Sequence, residues 1–374
     1  MSNSWSDPHA STDSSSNGAY TISEILSQPF CWSTTLRDLQ KSGTLPKVAE
    51  KFQAAREWLF LGCGSSFYIA QAAAASMAEL TGLRTRALPA SEVMLFPDSA
   101  QIERGKCVPV LISRSGKTTE VLRVAEILKQ RGVETLGISC APGEALHKLA
   151  SEILLLPTAD EQSMVMTRSF STMLLVLQAL AATIAGRPEF LQSLEQLTPP
   201  TEKLLSSLPS RVREFVTDHG FEDYVCLGQG PLYGIACELA LKLTEMSVSY
   251  AQAFHTLEFR HGPKSIVSPK TLILFLLSER GYTAEVEALE EIKKLGGTTV
   301  SITNQADARA RKATDFMVEL AADGPELARI APYLVTGQLM GLYTGLKKGH
   351  DPDRPKNLSR VVILEEESPQ RAAL

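Results

Sequence analysis

The sequence repeats a strand, a Gly-x-Gly turn and a helix, and this repeat constrains the fold more than any other feature. Residues 57–74, EWLFLGCGSSFYIAQAAA, align without gaps with residues 223–240, DYVCLGQGPLYGIACELA, 166 positions later. A second match at a spacing of 165 pairs ISRSGKTTEV (112–121) with LSERGYTAEV (277–286). Two matches at nearly one spacing indicate a duplicated α/β module.

Apolar strands such as VPVLI, LGIS and LILFLL alternate with amphipathic helices along the chain. Strands without polar alternation are typical of a parallel sheet that is covered on both faces. The sequence therefore predicts an α/β fold of two duplicated modules, each a three-layer α/β/α arrangement of the flavodoxin-like type. A chain of 374 residues with 44% hydrophobic content can supply both cores.

The predicted organisation has five segments. The N-terminal stretch is polar and Ser-rich, which indicates a flexible arm and not a signal peptide. Pro199, Pro200 and Pro209 interrupt the pattern between the two copies and indicate a helical linker. The expected segments are the arm (1–20), module one (21–195), the linker (196–222), module two (223–350) and a C-terminal tail (351–374).

Charge and cysteine content exclude several classes of protein. A net charge of −5 and a pI near 5.8 argue against a general affinity for nucleic acid or an anionic membrane. The longest apolar stretch, residues 173–186, is too short to span a membrane and predicts a buried helix. Six cysteines without a CxxC pair indicate reduced thiols, and we therefore expect a cytoplasmic protein.

The stretch LISRSGKTTE predicts an anion site at the end of a strand. Ser113, Ser115 and Thr118 offer three hydroxyls, Gly116 allows close approach of the backbone, and Lys117 can balance charge. A turn that leaves a parallel strand and enters a helix also directs backbone N–H groups outward, which suits a phosphate monoester. An ordinary hydroxyl-capped helix start explains these residues equally well. In the second copy Arg280 and Tyr282 replace Ser115 and Lys117.

The first Gly-x-Gly turn comes at the corresponding end of another strand. Ligands of open α/β sheets collect at that edge. A dinucleotide fingerprint is excluded because position 67 is Phe where a third glycine is required. We expect Gly64, Ser65 and Ser66 to face a sugar or a phosphate, with helix capping as the alternative.

Module two contains the candidates for acid/base catalysis. Its apolar helix GIACELALKLTEMSVSYAQAF carries Glu238, Lys242 and Glu245, and the last two share one helix face. One interpretation is an exposed ion-paired stripe. The other is a partly buried carboxylate whose raised pKa lets it accept a proton near neutral pH. The nearby HTLEFRHGPKSIV contains His261, which is ambiguous by itself.

Four motifs, LGCGSSF, SRSGKTTE, ALKLTEMS and EFRHGPKSI, together resemble the sugar isomerase (SIS) family. The likeness covers residues 22–366 and includes the tail DPDRPKNLSRVVILEE. It is strongest to the isomerase half of glutamine-fructose-6-phosphate aminotransferase, and to stand-alone amino-sugar-phosphate deaminases and tagatose-6-phosphate ketose/aldose isomerases. The resemblance implies a sugar-phosphate ligand, a homodimer, and neither a metal nor an organic cofactor.

The resemblance also implies roles for individual residues. Glu245 matches the general base that moves a proton between aldose and ketose, and Lys242 matches its polar neighbour in the site. His261 matches the histidine of ring opening, which the neighbouring subunit supplies. Module one would bind phosphate, module two would hold the acid/base groups, and the tail would close over the site. The residues that match phosphate and sugar contacts are Ser66, Ser113, Ser115 and Thr118.

The sequence departs from the synthase pattern at three points. Arg360 stands where the synthase has a Schiff-base lysine, and arginine cannot serve as that amine. Lys356, four residues earlier, is a candidate to replace that lysine, and we expect both Arg360 and Lys356 at the substrate site. Met166 replaces a sugar-contacting serine, as in the isomerase and deaminase branch. No glutaminase module or N-terminal cysteine is present in this sequence, so we do not expect glutamine-dependent synthesis.

These features predict an aldose–ketose isomerase for a sugar phosphate, and a 2-amino hexose 6-phosphate that is also deaminated fits best. Two alternatives stay open. One is a phosphosugar-binding regulator without catalysis, which would need the phosphate turn but not Glu245, Lys242 and His261. The other is a fructosamine-6-phosphate deglycase, which would use the same chemistry on a bulkier substrate.

Overall fold

The computed structural model describes residues 16–364, which form two five-stranded sheets flanked by helices. Every strand pairing within both sheets is parallel. The first sheet has the order β2-β1-β3-β4-β5 and consists of β1 (Glu57–Gly62), β2 (Arg84–Pro89), β3 (Cys107–Ile112), β4 (Leu136–Ser139) and β5 (Glu152–Leu155). The second has the order β7-β6-β8-β9-β10 and consists of β6 (Asp223–Gly228), β7 (Tyr250–His255), β8 (Thr271–Leu276), β9 (Thr298–Thr303) and β10 (Phe316–Glu319).

Helices cover both faces of each sheet. The helices of module one and the linker are α1 (Ala19–Leu26), α2 (Gln28–Ser42), α3 (Thr44–Lys51), α4 (Ser65–Thr81), α5 (Ala90–Leu95), α6 (Thr119–Gln130), α7 (Ala145–Leu149), α8 (Arg168–Ile184), α9 (Pro188–Glu195), α10 (Thr198–Leu205) and α11 (Leu208–Asp218). Those that follow are α12 (Pro231–Ser247), α13 (Tyr282–Lys294), α14 (Ala308–Lys312) and α15 (Leu334–Lys347). Short 3-10 helices lie at Pro157–Ala159, Glu258–Arg260, Pro263–Ile266 and Glu326–Tyr333.

The structure confirms the predicted duplication. Strand β1, helix α4 and strand β2 each recur 166 positions later as β6, α12 and β7 with identical lengths. The turn glycines Gly64 and Gly230 have nearly the same backbone angles, with φ of 55° in both and ψ of −128° and −129°. Both sheets also have the same strand order, which is the flavodoxin-like order predicted from the sequence.

One apolar core lies between the two sheets and joins the modules. It contains Phe60 of β1, Ile69 of α4, Leu177 of α8, Leu239 of α12 and Leu339 of α15, all of them buried. Helix α8 is buried along most of its length, as its apolar sequence predicts. Separate, smaller cores cover the opposite face of each sheet. The two modules are therefore held together by the burial of helices that belong to both.

Helices α4 and α12 approach each other closely at the centre of this core. A Cβ atom on Gly234 of α12 would lie 2.8 Å from the carbonyl oxygen of Tyr68 and from the backbone nitrogen of Ala72. Only glycine allows this contact, because any larger residue would push the two helices apart. The contact brings Ser65, at the start of α4, within reach of the charged residues of α12.

The structure describes only part of each end of the chain. Most of the predicted arm and the last ten residues of the predicted tail lie outside the described residues, and α1 begins at Ala19. All six cysteines are unpaired, and five of them are buried. Within residues 16–364, no helix is both long enough and apolar enough to cross a membrane.

Candidate active site

The turn after β3, residues 113–118, will be called the anion turn. The hydroxyl of Ser113 lies 3.0 Å from that of Thr118 and accepts the backbone N–H of Gly116 at 3.1 Å. Gly116 has φ of 65°, and a Cβ there would lie 2.9 Å from Cβ of Glu144. Within residues 16–364, the backbone N–H groups of Ser115 and Thr118 have no acceptor. The turn therefore retains donors at the start of α6, where an anion is favoured.

The corresponding turn of module two is filled by its own carboxylate. Glu285 accepts the backbone N–H of Ser278 at 2.6 Å and the hydroxyl of Ser278 at 2.9 Å. Burial raises the pKa of Glu285 to about 7, although both hydrogen bonds oppose this shift. In module one the matching Ser113 hydroxyl contacts Thr118 and Gly116 instead. Only the turn of module one is thus left open for an external anion.

A buried ion pair supports the anion turn from behind. Arg114 is 6% exposed, contacts Glu161 at 3.1 Å and donates to the carbonyl oxygens of Val165 and Met164. Glu161 accepts the backbone N–H of Thr167 at 2.6 Å, and its own burial is nearly complete. These bonds fix the loop of residues 161–167, which contains Met166, against the turn.

The C-terminal tail crosses the same region. The backbone N–H of Thr119 donates to the carbonyl oxygen of Val362 at 3.4 Å, and that of Leu364 donates to the Thr119 hydroxyl at 3.1 Å. Arg360 contacts Asp160 at 3.1 Å and also donates to the carbonyl oxygen of Glu161. Residues 360–364 therefore lie next to the first turn of α6.

The charged residues of α12 form a buried cluster, here called the charge cluster. Lys242 is fully buried and contacts Glu238 at 3.3 Å and Glu245 at 2.5 Å. Glu238 is also fully buried, whereas the side chain of Glu245 is 17% exposed. An exposed ion-paired stripe is thereby ruled out. Glu245 alone among the three has a surface open to a ligand.

Ser65 joins the charge cluster to the Gly-x-Gly turn of module one. Its hydroxyl donates to Glu238 at 3.1 Å and accepts from Lys242 at 3.2 Å. Since β1 and β3 are neighbours, the turns that follow them meet at one edge of the sheet, where the strand order reverses. The structure therefore brings groups of both modules together at one crevice.

Burial and charge shift the pKa values of the cluster. Burial raises the pKa of Glu238 to about 8, the ammonium of Lys242 opposes the shift, and the carboxylate of Glu245 adds to it. Burial disfavours the ammonium form of Lys242, but Glu238 and Glu245 together outweigh burial and raise its pKa. Lys242 therefore stays charged between its two carboxylates.

The remaining predicted residues are placed as follows. Ser66 is buried in the first turn of α4. Gly64 is exposed and directly precedes Ser65, the first residue of that helix. Lys356 is exposed on the tail. His261 is exposed after the 3-10 helix Glu258–Arg260, and no hydrogen bond or ion pair within the described chain joins its imidazole to the charge cluster. The structure of one chain thus brings together all the predicted catalytic residues except His261.

The sequence analysis names Glu238 on the apolar helix but assigns it no role in the site. One oxygen of its carboxylate has no partner among the described residues, and the other contacts Ser65 and Lys242. The signal was available, because a glutamate four positions before Lys242 on an otherwise apolar helix is unusual. The support that Glu161 gives to Arg114 could not be inferred, since it joins residues 47 positions apart in different loops.

The fold and the site together define a duplicated α/β protein with an open anion turn after β3 and a buried charge cluster that contacts the turn after β1. The family model of the SIS domain matches residues 51–183 and 224–341, and the chain belongs to the SIS domain family. Glutamine–fructose-6-phosphate aminotransferase of Pyrococcus horikoshii is 26% identical over 353 residues, which are 92% of this chain and 58% of that protein. The chain thus spans less than two thirds of the length of this relative.

Two solved structures extend the comparison. Glucosamine-6-phosphate deaminase from Thermotoga maritima has a TM-score of 0.76 and 29% identity, and the match covers 92% of this chain and all of that one. Tagatose-6-phosphate ketose/aldose isomerase from Escherichia coli has a TM-score of 0.81 and 22% identity, and the match covers 94% of this chain and 98% of that one. The second match shows likeness of fold only.

Proposed function

We propose that the protein isomerises a 2-amino hexose 6-phosphate and releases its amine as ammonia, leaving a ketose 6-phosphate. The observation that carries this proposal is the position of Ser65, which belongs to module one and bonds to both Glu238 and Lys242 of module two. A sugar phosphate held at the edge of the first sheet would therefore reach the charge cluster. The nearby anion turn supplies the donors that its phosphate requires.

The charge cluster suits proton transfer between two carbons. In the open-chain sugar, the Glu245 carboxylate removes the proton from C2, and its electron pair forms a double bond between C1 and C2. The C1 carbonyl oxygen becomes a hydroxyl by taking a proton from the ammonium group on C2, which gives an enolamine. Return of that proton to C1 gives a C2 imine. Water then adds to the imine and ammonia leaves, so one water is consumed for each ammonia released. Lys242 holds Glu245 in place and offsets negative charge during the transfer.

The residue at position 360 of the C-terminal tail favours a substrate that already carries an amine. Arg360 cannot form a Schiff base, and its guanidinium is engaged by Asp160 and by the Glu161 carbonyl. A ketose without an amine would need a lysine at this position to form an imine, whereas a 2-amino sugar already carries the nitrogen. The likeness to a glucosamine-6-phosphate deaminase, which covers 92% of this chain, supports the same class of substrate.

A substrate panel tests the proposal. Glucosamine, galactosamine and tagatose 6-phosphates are incubated with the enzyme while ammonia and ketose are measured. We expect ammonia and ketose in equal amounts from one of the amino sugars. Isomerisation of tagatose 6-phosphate alone would contradict deamination, and binding without any turnover would make the protein a phosphosugar-binding regulator.

Two matched variants separate the roles of the two modules. Glu245→Gln should abolish turnover and leave the affinity for the sugar phosphate nearly unchanged. Ser115→Ala should raise KM about fivefold or more through the loss of one phosphate contact, with little change in kcat. Unchanged turnover in the first variant would exclude Glu245 as the base. Equal binding of phosphate-free sugars at the crevice would contradict the anion turn.

We further propose that the enzyme is a homodimer in which His261 serves the site of the other copy. The exposure of His261 and its separation from the charge cluster of its own chain support this arrangement. Glu245→Gln and His261→Asn homodimers should each be inactive, and mixing them after subunit exchange should restore part of the activity. No recovery in a mixture shown to contain heterodimers would place His261 in its own chain's site.

A further inference from the structure

A cavity of about 170 Å³ lies at the edge of the second sheet, and we call it the second crevice. By the same measure one water needs roughly 15 Å³, so the cavity holds about a dozen non-hydrogen atoms, the size of a hexose. It opens where the turns after β6 and β8 meet, which is where the active-site crevice lies in module one. The residues that the argument uses are Glu79, Gln229, Leu232, Arg280, Glu326 and Ile330.

The second crevice is the counterpart of the active site within the duplicated fold. The 166-residue spacing that relates α4 to α12 places Glu79 at the position of Glu245. Each crevice therefore combines the turns of one module with a glutamate near the C-terminal end of the other module's central helix. In the second crevice that glutamate contacts Arg280 at 2.9 Å.

The second crevice is closed to phosphate. Two carboxylates of the chain occupy its turn, because Glu285 accepts both donors of Ser278 and Glu326 accepts the backbone N–H of Glu279 at 2.5 Å. A phosphate would have to displace them and would meet like charge.

The polar groups that remain require a ligand rich in donors. The amide oxygen of Gln229 is buried and has no partner among the described residues. Glu79 and Glu326 add two carboxylates against the single guanidinium of Arg280, so the lining has a net negative charge. Leu232 and Ile330 supply an apolar wall for the face of a sugar ring.

We propose that the second crevice binds a phosphate-free amino sugar. Its ammonium and hydroxyl groups would donate to Gln229, Glu79 and Glu326, and its ring would pack on the apolar wall. The site differs from the active site in ligand chemistry, since it selects for an amine and against a phosphate. The proposal holds whether or not the active site proves to be a deaminase, because it concerns binding alone.

The test measures the binding of glucosamine by isothermal titration. The Glu245→Gln variant allows the same titration with glucosamine 6-phosphate present at saturation and not consumed. We expect glucosamine to bind to one site per chain under both conditions, and more tightly than glucose. Gln229→Leu and Glu79→Gln should each weaken its binding about fivefold, as expected for one lost hydrogen bond, while Ser115→Ala leaves it unchanged.

Three results would overturn the proposal. Loss of glucosamine binding when glucosamine 6-phosphate saturates the active site would show that both share that site. Equal affinity for glucose would refute the role of the carboxylates. Unaltered binding in both Gln229→Leu and Glu79→Gln would place glucosamine elsewhere. Thermal melting of each variant distinguishes a lost contact from a lost fold, and Gln229→Leu suffices if Glu79→Gln does not fold.

Discussion

Lys242→Met tests whether the charge cluster is held together by its central ammonium. Lys242 and Glu238 are both fully buried and lie 3.3 Å apart, so removal of the lysine leaves a carboxylate in the core without its charge partner. Removing one member of a buried pair costs about 3–5 kcal/mol of unfolding free energy. The variant should also be inactive, because Glu245 loses the group that positions it.

The pH dependence of this cost follows from Glu238. Without Lys242 the folded-state pKa of Glu238 lies still further above its unfolded value of about 4.5. Because the pKa of Glu238 is already about 8 in the wild type, this carboxyl is neutral in both folded proteins below about pH 7. The stability lost by the variant should therefore be nearly constant from pH 5 to 7 and should increase as the pH rises through about 8, where Glu238 ionises in the wild type only. Urea denaturation of wild type and variant at pH 6 and at pH 9 measures the difference.

A double variant provides the control. Glu238→Leu combined with Lys242→Met removes both charges at similar volume and should recover most of the stability, leaving a deficit of about 1–2 kcal/mol from the unpaired Ser65 hydroxyl. It should remain inactive. A cost below about 1 kcal/mol for the single variant at pH 9, or no recovery in the double variant, would refute the reasoning.

Two further predictions concern other buried carboxylates. Burial raises the pKa of Glu285 from 4.5 to about 7, so the wild type loses up to about 3 kcal/mol as pH rises through this range, and Glu285→Gln should gain stability relative to it between pH 5 and 8. A difference in urea midpoint that does not vary with pH would contradict this. Asp353 accepts the backbone N–H groups of Tyr20 and Thr21, so Asp353→Ala should cost about 2 kcal/mol and speed tryptic cleavage after Arg354. Unchanged cleavage would mean that Asp353 does not hold the tail in place.

The sequence predicted the fold well because the fold depends on local patterns that occur twice. Uninterrupted apolar strands predict a buried parallel sheet, and the match between residues 57–74 and 223–240 identifies the repeat without knowledge of any contact. Contacts between distant parts of the chain were not predicted. Asp353 caps a helix 332 residues earlier, and Glu24 accepts the backbone N–H of Ser163, and neither pairing leaves a periodic signal.

The sequence predicted which types of groups form the candidate site but not how those groups are arranged. Hydroxyls and a glycine after a strand indicate an anion turn, but hydroxyl capping gives the same pattern. Sequence could not decide whether Lys242 was exposed, since helical spacing identifies a shared face and not what covers it. The structure shows that Lys242 is covered by α4, because Lys242 donates to Ser65 of α4 and the two helices are in close contact at Gly234.

The close contact of α4 and α12 explains why the duplicated protein has one charge cluster and not two. At the positions in α4 that correspond to Glu238 and Lys242, the chain has Ala72 and Ser76. Long charged side chains on both helices would meet face to face where a Cβ on Gly234 already has no room. Duplication supplied two equivalent crevices, but the geometry of the shared helix pair lets only one of the two helices carry a buried lysine–glutamate pair. The asymmetry between the modules thus follows from a packing constraint, and the other crevice could acquire affinity for a different ligand.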